Sequence, residues 1–171
     1  ITSKAVPEII RENGGEPVRT RVGHSFIKAK MAETNAVFGG EHSAHYYFRD
    51  FWRADSGMLA AMHVLAALGQ QDKPLSEMMA KYNRYAASGE INSRLDSAEA
   101  QADRTEAVVK AFADRAENVD RLDGVTVELK DGNWFNVRAS NTEPLLRLNV
   151  EADTQEAVDA LVKEILAIIR A

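Results

Sequence analysis

Residues 39–45 read Gly-Gly-Glu-His-Ser-Ala-His, placing a carboxylate, two imidazoles and a hydroxyl in five positions directly after the apolar run Ala36-Val37-Phe38. An ionised carboxylate can accept from two vicinal hydroxyls at once, and a hydroxyl beside a histidine supplies donors, so Glu41, Ser43 and one of the histidines suit a sugar. Gly39 and Gly40 are expected to let the backbone turn sharply and come close to a ligand. Histidine is the commonest general acid or base near neutral pH, and the chain has four: His24, His42, His45 and His63. The same spacing also fits a solvated turn, or a zinc pair at His42 and His45 without a convincing third ligand. His63 lies in an apolar helical pattern, where a structural role is the stronger reading.

A second polar cluster, Arg-Ala-Ser-Asn-Thr-Glu-Pro, occupies residues 138–144. Arg138 offers a guanidinium fork, Ser140 and Thr142 hydroxyls, Asn141 an amide, and the turn itself several N–H groups. Such a turn suits a phosphate, held bidentately by arginine and by backbone donors. An ordinary Asn/Ser turn with a surface arginine fits the same residues. If both clusters bind, they are expected to hold opposite ends of one small molecule.

The elements that must position these clusters fall into two rhythms. In the first part, helix-like and strand-like segments alternate: a helix at 5–13 ending at Gly14-Gly15, a strand at 17–22, a helix at 26–34, a short strand at 36–40, and aromatic residues 45–52 as strand and packing. Asp55 or Ser56 can cap a helix with Met58, Leu59, Met62, Leu65 and Ala66 at helical spacing. The alternation predicts a partial α/β domain over residues 1–70, with parallel strands. Residues 71–75 read as a linker before a helix at 76–85. The second part, 76–171, predicts an α+β domain with an antiparallel sheet packed against helices. It comprises a strand at 89–95, a helix at 99–117, a hairpin at 124–140 turning at Asp131-Gly132, a strand at 144–152, and a last helix capped by Thr154. That helix carries Val158, Leu161, Val162, Ile165, Leu166 and Ile169 on one face.

With 45% hydrophobic and 27% charged residues, the chain of 171 residues has a globular composition able to bury a core. A formal charge of -5 without a basic run argues against nucleic acid or an anionic membrane as a partner. The absence of cysteine excludes disulfide and thiolate chemistry and suits the cytoplasm. No apolar run approaches a membrane span, and the opening residue Ile1 suggests a fragment or processed product.

Three stretches, Val-Gly-His-Ser-Phe-Ile-Lys-Ala-Lys-Met-Ala-Glu at 22–33, the cluster at 39–45, and Arg-Ala-Ser-Asn-Thr-Glu-Pro-Leu-Leu-Arg-Leu-Asn-Val-Glu-Ala at 138–152, together resemble the α-D-phosphohexomutase family. Order and approximate spacing both agree. The resemblance implies a four-domain parent, of which residues 1–70 are similar to the latter part of the third domain and 76–171 to the fourth. By it, Glu41 and Ser43 contact sugar hydroxyls, His45 is a candidate general acid or base, and His24 lies near the reacting centre. Arg138, Ser140, Asn141 and Thr142 would hold the phosphate that is not being transferred.

The family reaction passes from a phosphoserine to a hexose monophosphate and back through a bisphosphate, with Mg²⁺ at the transferring phosphoryl group. No Thr-x-Ser-His-Asn-Pro or Asp-Gly-Asp-Gly-Asp stretch is present, so the phosphoserine and the Mg²⁺ are expected in N-terminal domains outside this chain, with no metal bound within it. The chain is accordingly expected to be inactive alone, with a hexose phosphate, of mannose or glucose, as the parent's substrate. A standalone phosphosugar-binding module is the alternative, and a protein-interaction domain is a third reading. A truncated third domain is also expected to expose a sheet edge and to self-associate.

Overall fold

A computed structural model describes residues 1–140 and 143–171; Asn141 and Thr142, both expected in the phosphate loop, lie outside the described residues. The chain divides into two compact units, Ile1–Arg84 and Tyr85–Ala171.

In the first unit, α1 (Ala5–Glu12), α2 (His24–Thr34), β1 (Phe38–Gly40), β2 (Tyr46–Phe48), β3 (Ala54–Asp55), α3 (Gly57–Gly69) and α4 (Leu75–Ala80) follow one another. Its sheet has the order β1-β2-β3, and both pairings are antiparallel, not parallel as the alternation of elements predicts. Five-residue connections join these short strands, which permits hairpins and leaves no room for a crossover helix. Residues 17–22 form no strand: a strand exists by pairing, and none of the described strands pairs with them. The buried cluster is small, made of Ile27 and Met31 from α2 and Tyr47 from β2. Ser56 caps α3 by accepting from the Leu59 N–H at 3.1 Å, yet no residue of α3 is buried.

The sequence places a linker at 71–75, but the first unit continues through α4 to Arg84. The Arg84 guanidinium donates to Glu12 Oε1 at 2.6 Å and Oε2 at 2.5 Å, and to Glu8 Oε2 at 3.3 Å, tying this segment back to α1.

The second unit contains β4 (Ala86–Ala87), β5 (Ile91–Arg94), α5 (Ala98–Ala111), β6 (Ala116–Asp120), β7 (Val125–Leu129), β8 (Trp134–Ala139), β9 (Leu145–Ala152) and α6 (Gln155–Ile169). The sheet order is β4-β9-β8-β7-β6, with β5 also paired to β9 and every pairing antiparallel. The predicted α+β domain with an antiparallel sheet against helices is therefore present. Strand alternation sends Val125, Val127, Leu129, Phe135, Val137, Leu146, Leu148 and Val150 to one face, where they meet Val108 and Phe112 from the α5 segment and Val158, Leu161, Ile165 and Ile169 from α6. Thr154 caps α6 as expected, accepting from the Ala157 N–H at 3.2 Å. The Asp131-Gly132 turn also forms, with Asp131 Oδ1 accepting from the Asn133 N–H at 3.0 Å.

The helix read over 99–117 stops at Ala111, and β6 follows where helix was expected. Phe112 is fully buried and meets Phe135 edge-on, with ring centroids 4.9 Å apart. The next residues then leave the helix to bond with β7's end: the Lys130 N–H donates to the Arg115 carbonyl at 3.0 Å, and Lys130 Nζ to the Asp114 carbonyl at 2.8 Å. Tertiary pairing overrides the local helical pattern.

Candidate functional site

Glu41 to His45 form the loop of the β1–β2 hairpin. The Glu41 N–H donates to the His45 carbonyl at 2.9 Å, and the Ala44 N–H to the Glu41 carbonyl at 3.1 Å. The left-handed residue in this loop is Ala44, at φ 64°, and neither Gly39 nor Gly40 has a positive φ. The expectation that these glycines make the sharp turn is thus corrected. Gly39 instead serves packing, since a Cβ there would lie 3.0 Å from Ile27 Cγ2 and 3.1 Å from Met31 Sδ, so any larger residue would require these two side chains of α2 to give way.

Glu41 is half-buried, and each of its carboxylate oxygens already holds one donor. Oε1 accepts from the Tyr47 hydroxyl at 2.5 Å and Oε2 from the Gly23 N–H at 3.2 Å. Tyr47 is buried, and burial first, then its bond to Glu41, pushes its hydroxyl well above the ordinary 10.0, so it stays a donor. Gly23, at φ 124°, is the N-cap of α2, and its bond to Glu41 ties His24, the first residue of the helix, to the hairpin. A carboxylate offers about four acceptor sites, so two remain for ligand hydroxyls. Ser43, His42 and His45 are exposed on the same loop.

His45 has a partner that sequence reasoning missed. Its Nδ1 lies 2.6 Å from Asp55 Oδ2, and Asp55 Oδ1 accepts from the Tyr46 N–H at 2.8 Å. The bond to Asp55 holds the imidazole above the ordinary histidine value of 6.5, with the Glu41 charge adding to it. Conversely, the bonds from His45 and from the Tyr46 N–H hold the Asp55 carboxyl below 3.8. Asp55 was legible only as an alternative helix cap, a role that Ser56 takes. His63 stacks on Phe48, with centroids 5.5 Å apart and planes at 17°.

In the second unit, Arg138 stands next to last on β8, leading into Ser140. Directly across the ladder from it is Arg147 on β9. Like charges directly opposite destabilise a sheet unless something neutralises them. Arg147 Nη1 lies 3.5 Å from Glu90 Oε2 and Nη2 3.9 Å from Glu143 Oε2, which is partial compensation. The Nε atoms of both arginines are buried with no hydrogen-bond partner. Ser140 Oγ accepts from the Glu143 N–H at 3.3 Å and from Arg147 Nη2 at 3.4 Å, so its hydroxyl braces the turn. Arg147 was not singled out in the sequence, although a hairpin centred on residues 142 and 143 pairs it with Arg138 by arithmetic.

Among the described residues, no three His, Asp or Glu side chains gather as a metal ion would require. No helix among them is long and apolar enough to cross a membrane.

An α/β unit carrying a polar hairpin, followed by an α+β unit with paired arginines at a strand junction, defines the class of two-unit protein. The chain belongs to the phosphoglucomutase/phosphomannomutase family. Residues 1–85 match its alpha/beta/alpha domain III and residues 90–168 its C-terminal domain. Among curated relatives, the phosphomannomutase of Methanocaldococcus jannaschii is 42% identical over 167 residues, covering 98% of this chain and 36% of that protein. Phosphohexose mutases of Xanthomonas campestris pv. campestris are 44% identical over 146 residues, covering 84% of this chain and 32% of theirs. A crystal structure of a phosphoglucomutase/phosphomannomutase family protein from Burkholderia thailandensis superposes with a TM-score of 0.77 at 28% identity, over 98% of this chain and 36% of that one. The chain thus spans about a third of the length of the relatives it matches.

Proposed function

We propose that this chain supplies the sugar-hydroxyl and phosphate-binding loops of a phosphohexomutase that interconverts the 1- and 6-phosphates of mannose or glucose through a phosphoserine and a bisphosphate intermediate. The observation that carries the reading is the Glu41 carboxylate, fixed by Tyr47 and Gly23 with acceptor sites to spare, on the loop that also presents Ser43 and His45. In this reading, Glu41 and Ser43 bind hydroxyls of the hexose. His45 takes the proton of the hydroxyl that becomes phosphorylated, and His24 stands near the same centre. Arg138, Ser140, Asn141 and Thr142 hold the phosphate not being transferred, with Arg147 as a further cation beside them. The first unit is then the sugar-binding part of the third domain, and the second the phosphate-binding domain.

The phosphoserine and Mg²⁺ belong to N-terminal domains that complete the parent enzyme, and the location is the cytoplasm. Turnover of mannose 1-phosphate and glucose 1-phosphate tests the proposal. The isolated chain should show none above background, and activity there would overturn the division of labour. In a full-length enzyme carrying this chain, His45→Ala should lower kcat by about 10²- to 10⁴-fold, the usual contribution of a general acid or base. Calorimetric binding of the sugar phosphate without turnover in that longer protein would instead establish a binding module.

A further inference from the structure

Resting on His45 as the acid/base group, we propose that Asp55 is its positioning residue: the carboxylate fixes the proton on Nδ1, so that Nε2 is the nitrogen that exchanges a proton with the sugar hydroxyl. The geometry is that of a held acceptor. Asp55 Oδ2 lies 2.6 Å from His45 Nδ1, and an ionised carboxylate can only accept, so Nδ1 donates. Oδ1 is engaged by the Tyr46 N–H at 2.8 Å, which orients the carboxylate without consuming the oxygen that faces the imidazole.

The backbone on either side is fixed as well. Asp55 pairs with Tyr47 in the β2–β3 ladder, and the Ser56 N–H donates to the Tyr46 carbonyl at 2.9 Å. A competing role is already filled, because the Ser56 hydroxyl caps α3 by accepting from Leu59. Asp55 is thereby left to His45. The other charge bearing on His45 is Glu41, also acidic, so both neighbours favour the imidazolium that forms when Nε2 takes a proton.

The step balances. As the hydroxyl oxygen bonds to phosphorus, the serine–phosphorus bond breaks, the serine oxygen leaves as its oxyanion and the hydroxyl proton passes to Nε2. In the return transfer that serine oxygen bonds to the phosphorus of the other phosphate, the bond from this phosphorus to the sugar oxygen breaks, and Nε2 gives its proton to the sugar oxygen released. Nδ1–H remains on Asp55 throughout, as an orienting bond of this type does elsewhere.

Imidazole ¹⁵N chemical shifts of His45, recorded on this chain at a pH above its titration, test the assignment. The wild type should show a protonated Nδ1 and an unprotonated Nε2. In Asp55→Asn the amide oxygen can keep the Tyr46 bond while the amide nitrogen faces Nδ1, so the proton should move to Nε2. Asp55→Ala, read the same way, serves if the Asn variant does not fold, and should give a tautomer mixture. A mixed tautomer in the wild type, or no change in either variant, overturns the proposal.

In a full-length enzyme, Asp55→Asn should lower kcat by about 10²- to 10⁴-fold with little change in KM. If His45→Ala abolishes turnover while Asp55→Asn leaves kcat intact, positioning by Asp55 is refuted and the acid/base reading survives. If His45→Ala leaves turnover intact, that reading fails, whatever the tautomer.

Discussion

The two units hold their polar loops by opposite means. Of the buried apolar residues among those described, sixteen lie in the second unit and four, Ala5, Ile27, Met31 and Tyr47, in the first. The exposed large apolar residues divide the other way, fourteen in the first unit and only Val119 and Leu122 in the second. All four non-glycine residues with positive φ, Asn35, Ala44, Trp52 and Arg53, also lie in the first unit. The Arg138 loop therefore stands on a packed sheet, whereas the Glu41 loop is placed by a few polar ties: Gly23 and Tyr47 to Glu41, and Asp55 to both His45 and the Tyr46 N–H.

The sharpest test removes core from the second unit. Phe135→Ala deletes a fully buried ring in edge contact with Phe112 and should cost about 3–5 kcal/mol in denaturant unfolding. Met62→Ser on exposed α3 should stay within about 0.5 kcal/mol. Each unit carries its own reporter, Trp134 at 6% exposure in the second and Trp52 at 80% in the first, so single-tryptophan variants follow them separately. Similar costs for the two substitutions would break the contrast. The uncovered apolar surface of the first unit also predicts concentration-dependent self-association in sedimentation, by apolar contact more than by strand pairing, since edge strands β1 and β3 have three and two residues.

Next in size is Gly39→Ala. The added methyl would press on Ile27 and Met31 at 3.0 and 3.1 Å, and overpacking of this kind costs about 1–3 kcal/mol. Because Gly39 precedes the hairpin loop by two residues, the amide signals of residues 41–45 should shift along with the loss of stability. Unchanged loop signals would mean that the loop keeps its shape independently of the α2 contact.

These differences track what a sequence can disclose. The second unit was legible because its strands alternate cleanly, Asp131-Gly132 marks a turn, and Thr154 precedes an apolar helical stripe; each local signal agrees with the tertiary result. The helix boundary after Ala111 was hidden because Phe112 ends it through contact with Phe135, a residue far away in sequence. In the first unit, residues 17–22 have strand-like composition, but composition cannot supply a neighbour to pair with. The polar loop at 41–45 was singled out from residue type alone, though not as a hairpin. Its two positioning groups, Tyr47 and Asp55, were not, since one reads as a packing aromatic and the other as a helix cap.

The paired arginines give a smaller effect with a sign that depends on ligand. Relieving a like-charge pair should change stability by roughly 0.2–1 kcal/mol, so Arg147→Met should leave the free chain as stable as before or slightly more so. Inorganic phosphate should raise the melting temperature of the wild type and do so less in the variant, because a ligand stabilises only the state that binds it. Equal phosphate shifts in the two proteins would remove Arg147 from the anion site and leave the second loop to Arg138 and the turn.

The smallest effect belongs to the His45–Asp55 pair, which is exposed and screened. His45 is held above 6.5 in the folded chain, so its contribution is fully present below pH 6.5 and is lost as pH rises through the folded value. Asp55 is held below 3.8, so its contribution is present above pH 3.8 and is lost as pH falls through the folded value. The pair should therefore stabilise the first unit most between these limits. Thermal melts reported by Trp52 should show a shallow decline above pH 6.5 that Asp55→Asn removes, with no matching change in melts reported by Trp134. A decline of the same depth at both tryptophans would mean that the hairpin is coupled to the packed sheet, and would end the distinction between a loop held by hydrogen bonds and a loop held by its core.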